Sequence, residues 1–316
     1  MISERYYSFN KYLREVFGER VHRISLDAGF SCPNIDGKIS KEGCIYCNNK
    51  AFNSACRNNG EDTFPLNQQI EDIRQQIKSS IEFYNKKFKV KKFIAYFQSF
   101  SNTYADVQIL RRKYDVIKEF PQIVGLFIST RPDCIDEQKL KLISSYRNEQ
   151  IKLVWIEYGL QTTNNDILKF INRGHNYENF LSAVFITKKY NIQIGTHLIL
   201  GLPGQNILED VEKISALPID GIKFHLLHVL KDTPLEKIYY KGEISLLSEK
   251  EYVQMLCDCL ERLRKDIVIL RLVSTADEKF LVAPKWMNNK HKIISEIQKE
   301  LERRDSFQGK YCSITT

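Results

Sequence analysis

Short apolar runs alternate with helix-length amphipathic segments through most of this 316-residue chain, and that alternation limits the folds open to it. Each run is rich in β-branched and aromatic residues, which is typical of strands buried on both faces. We predict strands at residues 21–27, 92–98, 124–129, 153–159, 192–200 and 221–227. The segments between them predict helices at 67–88, 104–120, 137–146, 176–190 and 207–217.

Repeated strand–helix–strand order predicts an α/β fold with a parallel sheet and right-handed crossovers. From periodicity alone, the six units could form an open doubly wound sheet or an incomplete barrel. The pattern changes after the sixth strand, where an irregular stretch (230–247) precedes a helix (248–264), a further strand (267–272) and a terminal helix (291–304). We therefore expect a core of residues 1–230 and a C-terminal extension, 231–316, packed on it.

Charge and hydropathy narrow the class of protein. No apolar run reaches the roughly 18 residues that a membrane span needs, and the first residues lack a secretion signal, so we expect a cytoplasmic protein without a membrane partner. The net charge is +8, and residues 86–92 read KKFKVKK beside several aromatic residues. Such a segment suits a polyanionic partner such as RNA, although a solvated helix end would have the same composition.

Four of the eight cysteines lie in a long segment, 28–64, that has little periodicity. Long loops inside compact domains usually carry function. These cysteines are Cys32, Cys44, Cys47 and Cys56. All four could hold a structural zinc ion, or the first three could hold an iron–sulfur cluster with one iron left open. The spacing alone leaves both alternatives open.

Polar residues follow nearly every predicted strand. In a parallel α/β barrel the carboxyl ends of the strands surround the active site. Here those ends fall at residues 98–103, 129–133, 157–161, 197–204 and 225–228. A polar residue at the end of one strand is commonly a cap or a turn residue, but polar residues at the ends of five successive strands indicate a cofactor or substrate site. His225, His228, Glu157 and Lys223 are expected where the barrel mouth meets substrate.

The cysteine loop, with an aromatic residue before its third cysteine, resembles that of radical S-adenosylmethionine (SAM) enzymes. The eleven residues between Cys32 and Cys44 are similar to the spacing in the Elongator catalytic subunit and in bacterial YhcC/YtqA-type proteins. Five further motifs match that bacterial group: STRPDC at 129–134, ExGxQT at 157–162, NRGH at 172–175, GLPG at 201–204 and APxW at 283–286. The resemblance runs from about residue 7 to residue 309 and implies a partial (β/α)6 barrel.

This resemblance implies a 4Fe–4S cluster with three of its irons bound by Cys32, Cys44 and Cys47 and the fourth by the amino and carboxylate groups of SAM. The reduced cluster would cleave SAM to methionine and a 5′-deoxyadenosyl radical, while the protein positions and shields that radical. An electron donor such as flavodoxin or ferredoxin would then be a partner. Cys56 lies outside the three-cysteine motif.

The same resemblance implies SAM contacts for residues on the later strands. Arg173 would pair with the methionyl carboxylate, a task that suits a guanidinium. Gln161, His197 and Ser129 would face the ribose or methionine, and Tyr46 would offer its backbone to the adenine. Many family members carry Gly-Gly-Glu after the second strand. This chain has Gln-Ser-Phe-Ser-Asn at 98–102, so Gln98 and Asn102 are the predicted replacements.

The resemblance to Elongator-like proteins, together with the basic segment, points to RNA as a partner. The specific reaction that the resemblance implies is maturation of a C5 substituent on the tRNA wobble uridine, for example carboxymethylaminomethyl toward aminomethyl. Two alternatives stay open: a radical SAM enzyme for a small molecule, and a non-enzymatic RNA-binding protein stabilised by zinc and dependent on Cys56. We expect Cys257 and Cys259 to be core residues.

Overall fold

The computed structural model describes residues 4–48, 51 and 64–313. Seven parallel strands form the main sheet, in the order β1-β2-β3-β4-β5-β6-β8, and β7 pairs antiparallel with β9 in a small second sheet. The strands are β1 Val21–Leu26, β2 Lys92–Phe97, β3 Ile123–Thr130, β4 Leu153–Gln161, β5 Gln193–Leu200, β6 Gly221–Leu226, β7 Val229–Leu230, β8 Val268–Arg271 and β9 Leu281–Ala283.

The main sheet is curled into a partial barrel, as predicted. Its edge strands β1 and β8 are not hydrogen-bonded as neighbours, yet the Arg23 side chain on β1 donates a hydrogen bond to the Leu270 carbonyl on β8 at 3.4 Å. The helices are α1 Phe9–Phe17, α2 Leu66–Phe88, α3 Val107–Tyr114, α4 Glu137–Ser144, α5 Asn165–Phe170, α6 Tyr177–Lys188, α7 Ile207–Ser215, α8 Pro234–Tyr240, α9 Glu249–Arg262 and α10 Lys290–Arg303.

All six predicted strands are present, but one predicted helix is shorter than expected. The segment 104–120 forms α3 followed by a 3-10 turn, Asp115–Glu119. Pro121 restricts the residue before it to an extended conformation, and Phe120 is extended (φ −118°, ψ 100°). The stretch 230–247, predicted as irregular, contains α8, and α5 was also missed.

Helix α1, which the periodicity did not predict, closes the lower end of the barrel. Ser8 caps its first turn, and Gly18 ends it in the left-handed conformation (φ 70°). Its buried side chains join an aromatic cluster inside the sheet: the rings of Phe9 and Phe127 lie 5.8 Å apart, and those of Phe127 and Trp155 stack at 5.4 Å. An apolar cluster therefore fills the amino-terminal end of the barrel, at the opposite end from the cavity described below.

The seventh strand of the barrel comes from the segment that we predicted to be an extension. β8 pairs in parallel with β6, and Lys223 lies opposite Arg271 in this pairing. Residues after 230 thus supply part of the barrel wall, while the division of the chain at residue 230 stays a prediction. Cys257 and Cys259 are fully buried in α9. None of the described helices is long and apolar enough to cross a bilayer.

Candidate active site

A single cavity at the carboxyl ends of the strands collects nine of the ten predicted site residues. The lining includes residues from the cysteine loop and from strands β2 to β6 and β8. The nine are Cys32, Cys44, Tyr46, Cys47, Gln98, Ser129, Gln161, Arg173 and His197. The tenth, Asn102, does not belong to this lining.

The described part of the cysteine loop is folded by its own backbone. The Cys32 carbonyl accepts hydrogen bonds from the amides of Ile35 and Asp36 at 2.9 and 3.2 Å, and the Cys47 amide donates to the Cys44 carbonyl at 3.0 Å. Gly43 has a left-handed φ of 70°, a conformation that glycine adopts without steric cost. The turns bring three cysteines, twelve and three residues apart in sequence, to one cavity wall.

A segment after α5, Ile171–Gly174, holds this loop from the side. We call this segment the clasp. The Asn172 side chain donates to the Gly43 carbonyl at 2.6 Å, and the Asn34 side chain donates to the Asn172 carbonyl at 2.6 Å. The Ile45 amide also donates to the Ile171 carbonyl at 3.1 Å. The NRGH motif at 172–175 therefore anchors the loop as well as supplying Arg173.

Arg173 is buried beside Cys44 at the rim of the cavity. Its Nη2 and Nε donate to the Gly159 carbonyl at 2.5 and 3.1 Å, and its Nη1 lies 3.5 Å from the Cys44 sulfur. A Cβ on Gly159 would lie 2.7 Å from Nη2, so glycine is needed for this approach. Burial alone would lower the pKa of Arg173, but Tyr46 and Cys44 outweigh it and raise the pKa.

The STRPDC motif at 129–134 holds Arg173 in place through its Arg131 and Asp133. Arg131, itself buried, donates to the Arg173 carbonyl at 2.7 Å. Two further hydrogen bonds, of 2.9 and 2.8 Å, join the Arg131 guanidinium to both carboxylate oxygens of Asp133. A bidentate pair of this kind fixes the orientation of a guanidinium, so Arg131 positions the backbone of the clasp.

The donor set fits an iron–sulfur cluster. Cys44 Sγ lies within 3.5 Å of N–H groups from Asn34 and Arg173, an environment that suits a thiolate. Within the residues that the structure describes, no three Cys, His, Asp or Glu side chains gather around a point where one metal ion could bind. The thiolates that bind an iron–sulfur cluster need not gather around a single point, because each one binds a different iron.

Two predicted SAM contacts occupy unusual positions. Gln161 has a φ of 85° next to an irregularity in the β4–β5 pairing, a bulge geometry that re-aims side chains near active sites. Asn102 instead donates to the carbonyls of Ser99 and Ser129 at 2.9 and 2.8 Å. In the described structure it ties the loop after β2 to the end of β3, and a SAM contact for it stays a prediction.

A fully buried carboxylate, Glu157, organises the floor of the cavity. Its Oε2 accepts hydrogen bonds from Tyr96 and from Lys223, and it lies 2.8 Å from His197 Nε2. Its Oε1 lies 3.7 Å from Arg23. Burial alone would raise the pKa of Glu157, but Lys223 and His197 hold it well below its ordinary value. We call Arg23, Tyr96, Glu157, Lys223 and Arg271 the polar floor.

The sequence placed Glu157 at the barrel mouth, and this was wrong. Its side chain has no exposed area and lies beneath the cavity, whereas Lys223, His225 and His228 do line it. Burial lowers the pKa of Lys223 to about 7, and Arg271 and Arg23 add to this shift while Glu157 opposes it. Burial and Lys223 likewise lower the pKa of His197 to about 4.

Other residues of the site were missed by the sequence analysis. Tyr96 and Arg271 both line the cavity. Arg271 ends a four-residue strand, too short for a clear periodic signal. A polar residue at the end of the predicted strand 267–272 was the available clue.

The basic segment lies far from this cavity. α2 ends at Phe88, and Lys92 begins β2, which places residues 86–92 at the amino-terminal edge of the sheet. The cavity lies at the opposite, carboxyl-terminal edge. A group bound in the cavity therefore does not contact this segment. Cys56 falls outside the described residues.

The buried lysine predicts a pH dependence of stability. The pKa of Lys223 is lowered in the folded state, so between about pH 7 and pH 10 the unfolded chain holds a proton that the folded chain lacks. The free energy of unfolding therefore rises with pH in this window, by roughly 1 kcal/mol per pH unit from this residue. Urea unfolding at several pH values should show a steeper rise for the unmodified protein than for Lys223→Met. The surface variant Lys213→Met should keep the steeper rise, and equal slopes in all three proteins would contradict the lowered pKa.

The clasp predicts that Asn172→Ala loosens the cysteine loop. This change leaves the buried Gly43 carbonyl without the hydrogen bond from Asn172, a loss that costs about 1–3 kcal/mol, and about 1.4 kcal/mol corresponds to a tenfold change in an equilibrium. Amide hydrogen exchange across residues 34–45 should therefore accelerate by about tenfold in this variant. Asn191→Ala is the matched control, because Asn191 is also left-handed (φ 54°) but exposed. Equal exchange in the two variants would refute the role of the clasp.

Comparison with known proteins identifies the family. The model of the radical SAM superfamily matches residues 37–217, and that of a radical SAM C-terminal domain matches residues 219–303. YtqA of Bacillus subtilis is 36% identical over 311 residues, which cover 98% of this chain and 93% of YtqA. A partial match joins 42% of this chain to 25% of the tRNA uridine(34) acetyltransferase of Methanocaldococcus jannaschii, at 28% identity over 141 residues.

Among solved structures, the archaeal Elp3 of Methanocaldococcus infernus, with an N-terminal deletion, superposes with a TM-score of 0.61 at 17% identity. The match covers 91% of this chain and 64% of that one, and it shows a shared fold. The superfamily model and YtqA between them span nearly the whole chain. The chain belongs to the radical SAM superfamily, as the sequence motifs implied, and it is an enzyme that uses a 4Fe–4S cluster and SAM.

Proposed function

We propose that Cys32, Cys44 and Cys47 hold the cluster and that Arg173 binds the carboxylate of SAM. The observation that carries this proposal is the presence of all four side chains in the lining of one cavity. When bound, the two cofactors supply one-electron cleavage of SAM to methionine and a 5′-deoxyadenosyl radical. Gln161, His197 and Ser129 line the same cavity and are available for the ribose and methionine.

The chain's own residues prepare this site. N–H groups of Asn34 and Arg173 face the Cys44 sulfur and would stabilise its thiolate form. Arg173 keeps one guanidinium edge on the Gly159 carbonyl, which fixes the direction of the remaining N–H groups. Asn102 donates a hydrogen bond to the Ser129 carbonyl, and Arg131 donates one to the Arg173 carbonyl, so the backbone of both proposed SAM contacts is held in place. Preorganised donors of this kind need no rearrangement when the charged cofactor binds.

We further propose that the substrate is tRNA and that the reaction changes the C5 substituent of the wobble uridine. Support comes from the partial match to a tRNA uridine(34) acetyltransferase and from the net charge of +8. Near the cavity, the cysteine loop carries two exposed lysines, Lys38 and Lys41, which could contact phosphates. The basic segment 86–92 would contact only a distant part of such an RNA.

The non-enzymatic zinc alternative is wrong, because the chain belongs to an enzyme superfamily. A small-molecule substrate is the competing outcome for the tests of the tRNA proposal. A one-electron donor such as flavodoxin or ferredoxin remains a predicted partner.

The ligand assignment predicts different effects for two buried cysteines. Cys44→Ala should abolish binding of the 4Fe–4S cluster and formation of 5′-deoxyadenosine, because it removes one of three iron ligands. Cys257→Ala is the control, since this thiol is also buried but lies in α9, in the core. Iron content, visible absorbance and 5′-deoxyadenosine should all be measured after anaerobic reconstitution. Equal cluster loss in the two variants would contradict the three-cysteine assignment.

The tRNA assignment predicts a change in cellular tRNA. Cells that lack this protein should accumulate one C5-substituted wobble uridine and lose another, as measured by mass spectrometry of digested tRNA. A gene encoding the unmodified protein or Cys257→Ala should restore the pattern, and Cys44→Ala should not. An unchanged nucleoside pattern would direct the search to small molecules.

A further inference from the structure

Arg271 presents a guanidinium to the cavity without a counter-ion among the described residues. It ends β8, lies opposite Lys223 in the pairing with β6 and lines the cavity. Within the described parts of the chain, its side chain makes no hydrogen bond and no ion pair. An arginine carries its charge at every pH at which the protein is folded. An unpaired guanidinium in a partly buried position is costly unless an anion joins it.

The nearby carboxylate does not pair with Arg271. Glu157 Oε2 interacts with Lys223, Tyr96 and His197. Its Oε1 forms an ion pair with Arg23 at 3.7 Å and accepts no hydrogen bond in the described structure. The polar floor thus contains two arginines, Arg23 and Arg271, and one carboxylate, and Lys223 adds a further positive charge below its lowered pKa of about 7. This count leaves the floor positive when no ligand is bound.

His225 supplies a second, independent observation. Its Nε2 is buried and has no hydrogen-bond partner in the described structure, although the residue lines the cavity. Burial and the charge of Arg271 lower the pKa of His225 well below its ordinary value, so the ring is neutral. A buried polar atom without a partner is rare in folded proteins unless a ligand or water completes it.

We propose that Arg271 and His225 form a subsite for an anionic oxygen group, a carboxylate or a phosphate, carried by the substrate. The planar guanidinium matches two such oxygens, and a neutral imidazole can donate one hydrogen bond from Nε2. This inference rests on the proposed function, in which substrate enters this cavity. The subsite differs from the predicted SAM carboxylate site, because Arg173 contacts Cys44 at the rim whereas Arg271 lies level with Lys223 at the floor.

The test measures stabilisation of the reconstituted, SAM-free protein by small anions. Sodium acetate or sodium phosphate replaces chloride at constant ionic strength, and the melting midpoint is recorded. A ligand that binds only the folded state raises this midpoint, here by about 2 °C at tenfold excess over Kd. The rise should vanish in Arg271→Gln and persist in the surface control Arg303→Gln. Arg271→Lys should show a smaller rise in the melting midpoint, because lysine keeps the positive charge but lacks the planar pair of N–H groups that binds two oxygens.

Two results would overturn the subsite: no rise above chloride in the unmodified protein, or an equal rise in Arg271→Gln. Acetate and phosphate distinguish whether the subsite binds a carboxylate or a phosphate. The anion that resembles the substrate group should give the larger rise in the melting midpoint. Binding of an anticodon stem-loop RNA is measured in parallel by fluorescence anisotropy. Failure of RNA binding with an intact anion effect would contradict the tRNA proposal and leave the subsite standing.

Discussion

The Glu157 carboxylate at the centre of the barrel is the interaction on which the rest of this site depends. It lies above an aromatic base that includes Phe127 and Trp155 and below the cavity. Removing one member of a buried charge pair typically costs about 3–5 kcal/mol, because its partner loses compensation. Without Glu157, the cations at 23, 223 and 271 would face one another in a half-closed barrel. The carboxylate therefore makes a positively charged floor compatible with a folded chain.

A second constraint acts at the rim. The cysteine loop is held by backbone turns of its own and by the clasp, which is fixed in turn through Arg131. One short segment thus carries the residue proposed for SAM, Arg173, and the residue that anchors the metal loop, Asn172. This coupling explains in physical terms why an Asn-Arg-Gly sequence suits the site. Asn172 is left-handed at φ 50° and Gly174 at φ 73°, conformations that these two residue types adopt more readily than others, and they allow the tight path of the clasp.

The strands were predictable because each one is a continuous apolar run that is buried on both faces. The contents of the site were predictable in part. Strand-end position brought Gln98, Ser129, Gln161 and His197 to the cavity, since parallel strands end at one edge. Position along a strand could not reveal that Glu157 is fully buried in the polar floor, because the burial of this charge depends on partners from four other strands, β1, β2, β5 and β6. The strand that carries Arg271 was predicted, but its pairing with β6, which brings Arg271 to the cavity, could not be read from the sequence. Helix α1 was missed because it is only nine residues long and is held by packing against the curled sheet.

For the basic segment, residues 86–92, the composition suggested a binding surface, but the location of that surface was not predictable. Its charge and aromatic content resemble a nucleic-acid surface, but composition does not say at which edge of a sheet a segment lies. The path of α2 into β2 decides this and places the segment away from the cavity. The positive floor, by contrast, is assembled from residues far apart in sequence, and no local composition signals it.

If the cavity binds the cluster and SAM and admits a tRNA nucleotide, the protein should cleave SAM and tRNA should stimulate that cleavage. The most direct measurement is formation of 5′-deoxyadenosine by the anaerobically reconstituted protein with reductant and SAM, with and without bulk tRNA. We expect cleavage of SAM that tRNA stimulates. Cleavage that ignores tRNA would retain the enzyme and contradict the substrate, and an absence of cleavage by protein that carries a full cluster would contradict the proposed site.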